Sequence, residues 1–135
     1  MKKTISKLKK ELDKYFSLFI RLRDSNEFGM VQCFTSGRVY HYKSIHAGHF
    51  MSRKRLSTRW CEWNVQPQSA ADNLFGQGEQ YKFALNLDAK YGEGVAEELQ
   101  IKSRQTLKMT RVDYEDKISY YKALVEKLKK DKGIE

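Results

Sequence analysis

Apolar residues recur at spacings of three and four through Ile5, Leu8, Leu12, Tyr15, Phe19 and Leu22. That is the period of one helix face, and it predicts an amphipathic helix over residues 4–23. Lys7, Lys9, Lys10 and Lys14 lie off the stripe, and Asp24-Ser25-Asn26 ends it with turn-forming residues. The period then changes. Residues 30–34 and 38–42 are short β-prone runs with Thr35-Ser36-Gly37 between them, which predicts a hairpin. His41 lies within the second run, where a single strand histidine reads as packing or surface.

Residues 44–63 have no clean period. They read as a short strand or extended loop around His49, then an irregular basic loop that Trp60 and Trp63 anchor in the core through their large apolar area. Asn64-Val65-Gln66-Pro67-Gln68 is extended, because proline disfavours helix in the residue before it. Ser69-Ala70-Ala71-Asp72 has the form of a capping box and predicts a helix over 70–90. Leu74, Tyr81, Leu85 and Asp88 would line one side of it, and Gly76 and Gly78 would weaken its first turns. Residues 91–94 break that helix, and a short one follows over 95–104. Thr110-Arg111-Val112-Asp113 is a second capping box, opening a last helix with Tyr114, Ile118, Tyr121, Val125 and Leu128 on one stripe. Its lysine-rich end, residues 127–132, is expected to fray. The stripes of the first and last helices have the spacing of a coiled-coil seam, so they pack on each other within one chain or across a homodimer.

The pattern therefore predicts one α+β domain over residues 1–135: a helix within 1–25, a core over 28–91 and helices over 93–130. The apolar run nearest the N-terminus is broken by Lys and Arg, so neither a signal peptide nor a membrane span is expected. Cys33 and Cys61 are too few for a disulfide framework and suit a reducing cytosol.

Charge changes the picture more. The formal net charge is +9, and it is unevenly spread. No Asp or Glu occurs between Glu27 and Glu62, where Arg38, Lys43, Arg53, Lys54, Arg55 and Arg59 all lie, whereas residues 62–101 are net acidic. A localised basic surface favours a nucleic-acid partner over general solubilisation. Candidate chemistry sits in the same region. His46 and His49 are three apart, the basic loop follows, and Asn64 and Asn73 come after it. An imidazole can activate water, imidazole and amide groups can ligate a divalent ion, and positive charge holds a polyanion. A one-metal phosphodiesterase site needs all three. The same residues also allow His46 and His49 only to hydrogen-bond their own loop.

Several stretches carry a resemblance: Cys33-Phe34-Thr35-Ser36-Gly37, Ala47-Gly48-His49-Phe50-Met51-Ser52-Arg53, Arg59-Trp60, Asn64-Val65-Gln66-Pro67-Gln68 and Asn73. Gly78-Glu79-Gln80-Tyr81, Leu87-Asp88 and Tyr91-Gly92 extend it. Together they resemble the NinG/Rap recombination nucleases of phages, which are similar to HNH endonucleases with a ββα-metal core. The resemblance covers roughly residues 15–125.

It implies a ββα-metal (HNH-like) core with flanking N- and C-terminal helices. It implies a metal-dependent DNA endonuclease of phage recombination, encoded by a phage or prophage and acting in the bacterial cytoplasm, with branched DNA as a candidate substrate. His49 would be the general base and Mg²⁺ or Mn²⁺ the ion, Mn²⁺ being favoured where carboxylates are few. Asn73 would be the helix-borne metal ligand and His46 the second ligand. Asn64 would join the catalytic set by orienting the loop that carries His49. Arg53 and Arg55 would clamp phosphates within a basic surface that includes Lys54 and Arg59. Gly48 departs from the pattern, standing where many HNH sites have a metal-binding Asp or His. The family's two Cys-x-x-Cys zinc knuckles correspond to Cys33, Ser36, Ser69 and Asp72. With one thiol of four, no structural zinc is expected. The degenerate knuckles leave open an alternative function: a non-catalytic, nucleic-acid-binding recombination accessory protein, an HNH relic.

Overall fold

The computed structural model describes residues 2–135. Helix α1 (Ile5–Arg23) starts where the Thr4 hydroxyl accepts the Lys7 N–H. Its buried face is Leu8, Leu12, Phe16, Phe19, Ile20 and Leu22; Ile5 and Tyr15 of the predicted stripe sit at the margin instead. The last helix, α5 (Arg111–Lys132), opens on a complete capping box between Thr110 and Asp113 and buries Tyr114, Ile118, Tyr121 and Val125. The two faces close on each other within the chain, with Phe16 meeting the Tyr121 ring edge-on at 4.9 Å. Both stripes are covered in this way within the chain. Leu12 and Ile20 are fully buried there, and cutting either to Ala would cost about 2–5 kcal/mol. The expected fraying of residues 127–132 does not occur. The helix continues to Lys132 because Gly133 closes it in the left-handed region, and the Lys132 ammonium donates to the Arg23 and Ser25 carbonyls at the end of α1.

Between these helices lie two small antiparallel sheets. Strands β1 (Met30–Gln32) and β2 (Val39–His41) pair with Met30 opposite His41. This hairpin is shorter than predicted: Cys33 still bonds back to Arg38 and Gly37, but the Phe34 N–H turns away to donate to the Pro67 carbonyl. A 3₁₀ turn (Tyr42–Ser44) leads to β3 (His46–His49). A loop with the short helix α2 (Leu56–Arg59) then returns to β4 (Val65–Gln68). His46 lies opposite Gln68 and His49 opposite Val65.

The continuous helix expected over 70–90 is broken. One π-helical turn (Ala71–Phe75) is followed by an irregular bend in which Gln77 and Glu79 take positive φ angles of 54° and 47°. Helix α3 (Gln80–Tyr91) starts only after it. The bend brings the Gly78 carbonyl onto the buried Gln68 amide, a tertiary bond that local propensity does not encode. The faces differ as well. Phe83 and Leu87 are buried, while Leu74, Tyr81 and Leu85 are exposed. Helix α4 (Val95–Ser103) is held by the Asp88 carboxylate, which accepts the Ala96 N–H in its first turn. Phe50, Phe83, Leu87, Val95, Ala96 and Leu99 make a second core.

Trp60 is the anchor predicted, 6% exposed, but Trp63 is 45% exposed and lies on Tyr91 instead of in the core. The architecture is α+β, 56% helical and 10% strand, so helix dominates as expected. Among the described residues no helix is long and apolar enough to cross a membrane.

Candidate functional site

Strand β3 positions both histidines, and its pleat decides what each meets. Side chains alternate across a strand, so residues three apart point to opposite faces. His49 and Ala47 face α1, around a small cavity of about 140 Å³ lined also by Asp13, Phe16, Ser17 and Arg53. His49 Nε2 lies 2.9 Å from the Arg59 carbonyl oxygen. A carbonyl can only accept, so Nε2 carries the ring proton and Nδ1 keeps its lone pair. Burial drives the His49 pKa down to about 4, with the bond to Arg59 resisting. The ring is therefore neutral at pH 7, with one nitrogen anchored and the other able to accept a proton.

Asn64, fully buried, holds the loop on which that geometry depends. Its Oδ1 accepts the Met51 N–H at 2.8 Å, and its Nδ2 donates to the Met51 and Thr58 carbonyls. The amide thus closes the chain between β3 and β4 across 13 residues.

His46 points the other way. Asn73, on the π-helical turn, donates from Nδ2 to His46 Nδ1 at 3.2 Å. The two predicted ligands are together, but they lie across the hairpin from His49. Asn73 occupies His46 Nδ1, so a cation would have to be ligated through His46 Nε2. Neither is a carboxylate, and among the described residues no group of three or more His, Cys, Asp or Glu could hold a metal. These residues do not fit a metal centre shared with His49. Gly48 contributes to the departure. A Cβ at this position would collide with the Gln68 side chain, so a ligating residue cannot replace it without displacing Gln68.

The basic loop also divides. Asp13 of α1 collects four donors. Arg59 Nη2 and Arg53 Nη2 reach its Oδ2 at 2.6 Å each, and Trp60 Nε1 and Arg59 Nε reach its Oδ1. Burial raises the Asp13 pKa, but the hydrogen bonds and charges of Arg59 and Arg53 outweigh it and leave the carboxyl below its ordinary value. The Arg59 side chain is only 16% exposed. Its guanidinium is engaged by Asp13. Arg53 is 59% exposed although paired, and Lys54 and Arg55 are exposed.

The four knuckle positions do converge. Cys33 Sγ accepts N–H bonds from Ser36 at 3.4 Å and Ser69 at 3.2 Å. Ser69 Oγ accepts the Asp72 N–H, and Asp72 Oδ2 accepts the Thr35 hydroxyl at 2.6 Å. Ser69 and Asp72 therefore form half a capping box, the Asp72 carboxylate being turned to Thr35. Burial pushes the Cys33 thiol up, but the bonds from Ser36, Ser69 and Thr35 prevail and bring it down to about 7.

Asp13 was not marked by the sequence, and Gln66 and Gln68 entered only as part of the family pattern, with no role attached. Asp13 sits in a lysine-rich helix and reads as solvated, and its partners lie 40 or more residues away. Gln66 and Gln68 are fully buried amides in a stretch whose local pattern shows only extended backbone. The family model described as Bacteriophage Lambda NinG protein matches residues 1–131 of the chain. No curated protein and no solved structure matches it.

Proposed function

The chain belongs to the NinG family, and from that premise we propose that it is a DNA endonuclease acting in phage recombination, with branched DNA as its substrate. In this reading β3, β4 and the helical turn after them stand for the ββα-metal core. One observation carries the proposal: a neutral His49 anchored through Nε2, with Nδ1 left as a proton acceptor beside Arg53. A general base must be unprotonated at working pH, and a pKa of about 4 meets that condition while leaving the ring a weak base. His49 would take a proton from the water attacking the phosphodiester, Asn64 would hold the loop that places it, and Arg53, Lys54 and Arg55 would hold the phosphates. We assign no step to Mg²⁺ or Mn²⁺, which the family resemblance implies, because His46 and Asn73 lie across the hairpin from the base.

That same displacement favours a second reading, a DNA-binding recombination accessory protein without turnover. Incubating plasmid, single-stranded and branched DNA with the protein separates them, with Mg²⁺, with Mn²⁺ and without either. Cleavage lost in His49→Ala supports the endonuclease. Tight binding without cleavage under every condition supports the accessory protein.

A further inference from the structure

Trp63 and Tyr91 stack with ring centroids 5.1 Å apart and planes 17° from parallel. Trp63 is nonetheless 45% exposed. A tryptophan left this far in water at the end of a loop would ordinarily fold inward to bury its large apolar area. Its position is fixed from beneath by Gln66, which is fully buried. Gln66 Nε2 donates to the Trp63 carbonyl at 3.1 Å and to the Tyr91 hydroxyl at 3.0 Å. Gln66 Oε1 accepts from Arg23 Nη2 and Lys90 Nζ, each at 3.2 Å. The Lys90 ammonium also lies 5.2 Å from the Tyr91 ring centroid. One buried amide thus ties two aromatic residues and two cations into a rigid group, and the indole presents a flat aromatic surface to solvent.

Resting on the reading that the protein acts on DNA, we propose that Trp63, backed by Tyr91, is a stacking platform for an unpaired DNA base. The local charge argues for stacking rather than phosphate binding. Asp24 pairs with Arg23 and Lys90, and Glu62, whose carboxylate accepts the Tyr121 hydroxyl, is adjacent in sequence. With Lys132, which donates to the Arg23 and Ser25 carbonyls, three cations stand against two acids, a small positive excess, and what the cluster adds is π surface. Every base has a π face, so such a platform ignores sequence. Bases inside a duplex are already stacked on one another, so it selects single-stranded or branched DNA. Preference for a branch would then come from Trp63, and general affinity from the exposed cations of the 53–55 loop.

The test measures binding of a single-stranded oligonucleotide, its duplex, and that duplex carrying a single-stranded branch. Wild type, Trp63→Ala and Trp63→Phe are compared, with thermal melts confirming that each is folded. Tryptophan emission is followed in the same titrations; the chain has two tryptophans, and Trp60 is buried. Wild-type emission should be quenched by single-stranded and branched DNA and little by duplex. Trp63→Ala should bind the unpaired substrates roughly five- to a hundredfold more weakly, keep its duplex affinity, and lose the quenching. Trp63→Phe should recover most of the affinity. If folded Trp63→Ala binds all three DNAs as wild type does, the platform is wrong while the DNA reading stands. If wild type binds none of the three, the DNA reading fails and the platform with it.

Discussion

His49 Nε2 stands 2.9 Å from the carbonyl oxygen of Arg59, ten residues along the chain. That bond joins the candidate base to the loop that carries the positive charge, and it fixes which nitrogen of the ring can act. His49→Ala should therefore lower cleavage by about a hundredfold to ten-thousandfold while leaving DNA affinity near wild type. Gel-shift and nicking assays on the same preparation check both halves. Equal cleavage by wild type and variant, with contaminating nuclease excluded, would falsify the assignment of His49 as base.

The same ring makes stability depend on pH. Its folded pKa is depressed to about 4, below the ordinary histidine value. Between about pH 6.5 and pH 4 the unfolded chain binds a proton that the folded chain refuses, so stability rises with pH. This contribution is fully present above about pH 6.5 and is lost as pH falls through about 4, a difference of up to roughly 3 kcal/mol. Urea denaturation at pH 7 and pH 4.5 should show the loss, and His49→Gln, which cannot titrate, should flatten it. An equal slope in the variant would mean that His49 is not the group responsible.

The arginines of the basic loop should separate into two kinds. Arg59→Ala leaves Asp13 half-buried without its main partner, and should cost about 2–4 kcal/mol of stability. Lys54→Ala with Arg55→Ala should leave stability within about 0.5 kcal/mol. That pair should instead reduce the slope of log affinity against log salt by about 0.9 for each lost phosphate contact. Chemical denaturation and binding at several salt concentrations measure the two effects independently. An unchanged salt slope in the double variant would move the DNA surface to another part of the chain.

Much of the fold was legible because it depends on local period and capping. The α1 stripe, the Thr110–Asp113 capping box and the break at residues 91–94 are all written in consecutive residues. The division of α3 was not, because it depends on Gln68 reaching the Gly78 carbonyl, and an extended run does not reveal which amides its fold will bury. The site shows the same contrast. Residue type and spacing single out His49 and Asn64 as candidates. The separation of His46 from His49 follows from strand pleat, and only once residues 46–49 are known to be a strand. The pairing of Arg59 was not legible because its partner, Asp13, comes from a helix 46 residues earlier.

Because α1 and α5 cover each other's apolar faces within one chain, the protein should be a monomer in solution. Light scattering over a hundredfold range of concentration should give a constant mass near 15.9 kDa. A mass that doubles with concentration would require an interface outside the α1–α5 seam.

The knuckle positions allow a test in both directions. Ser36, Ser69 and Asp72 meet around Cys33 as a hydrogen-bonded group, with two backbone N–H groups aimed at one sulfur. Such N–H bonds stabilise a thiolate, and thiolates are what a structural zinc requires. One thiol with two hydroxyls and a carboxylate engaged by Thr35 is a weak donor set, so protein purified without chelator should carry no stoichiometric zinc. Replacing all three partners, Ser36→Cys with Ser69→Cys and Asp72→Cys, should create a four-thiolate site on the same backbone. That variant should bind one zinc per chain, and its melting temperature should rise with zinc and fall with chelator, because binding to a preformed site adds directly to folding free energy. One tightly held zinc in wild type would mean that the hydrogen bonds around Cys33 support a metal rather than replace it. A triple variant that folds but ignores zinc would mean that the four positions are near one another without sharing a tetrahedral centre.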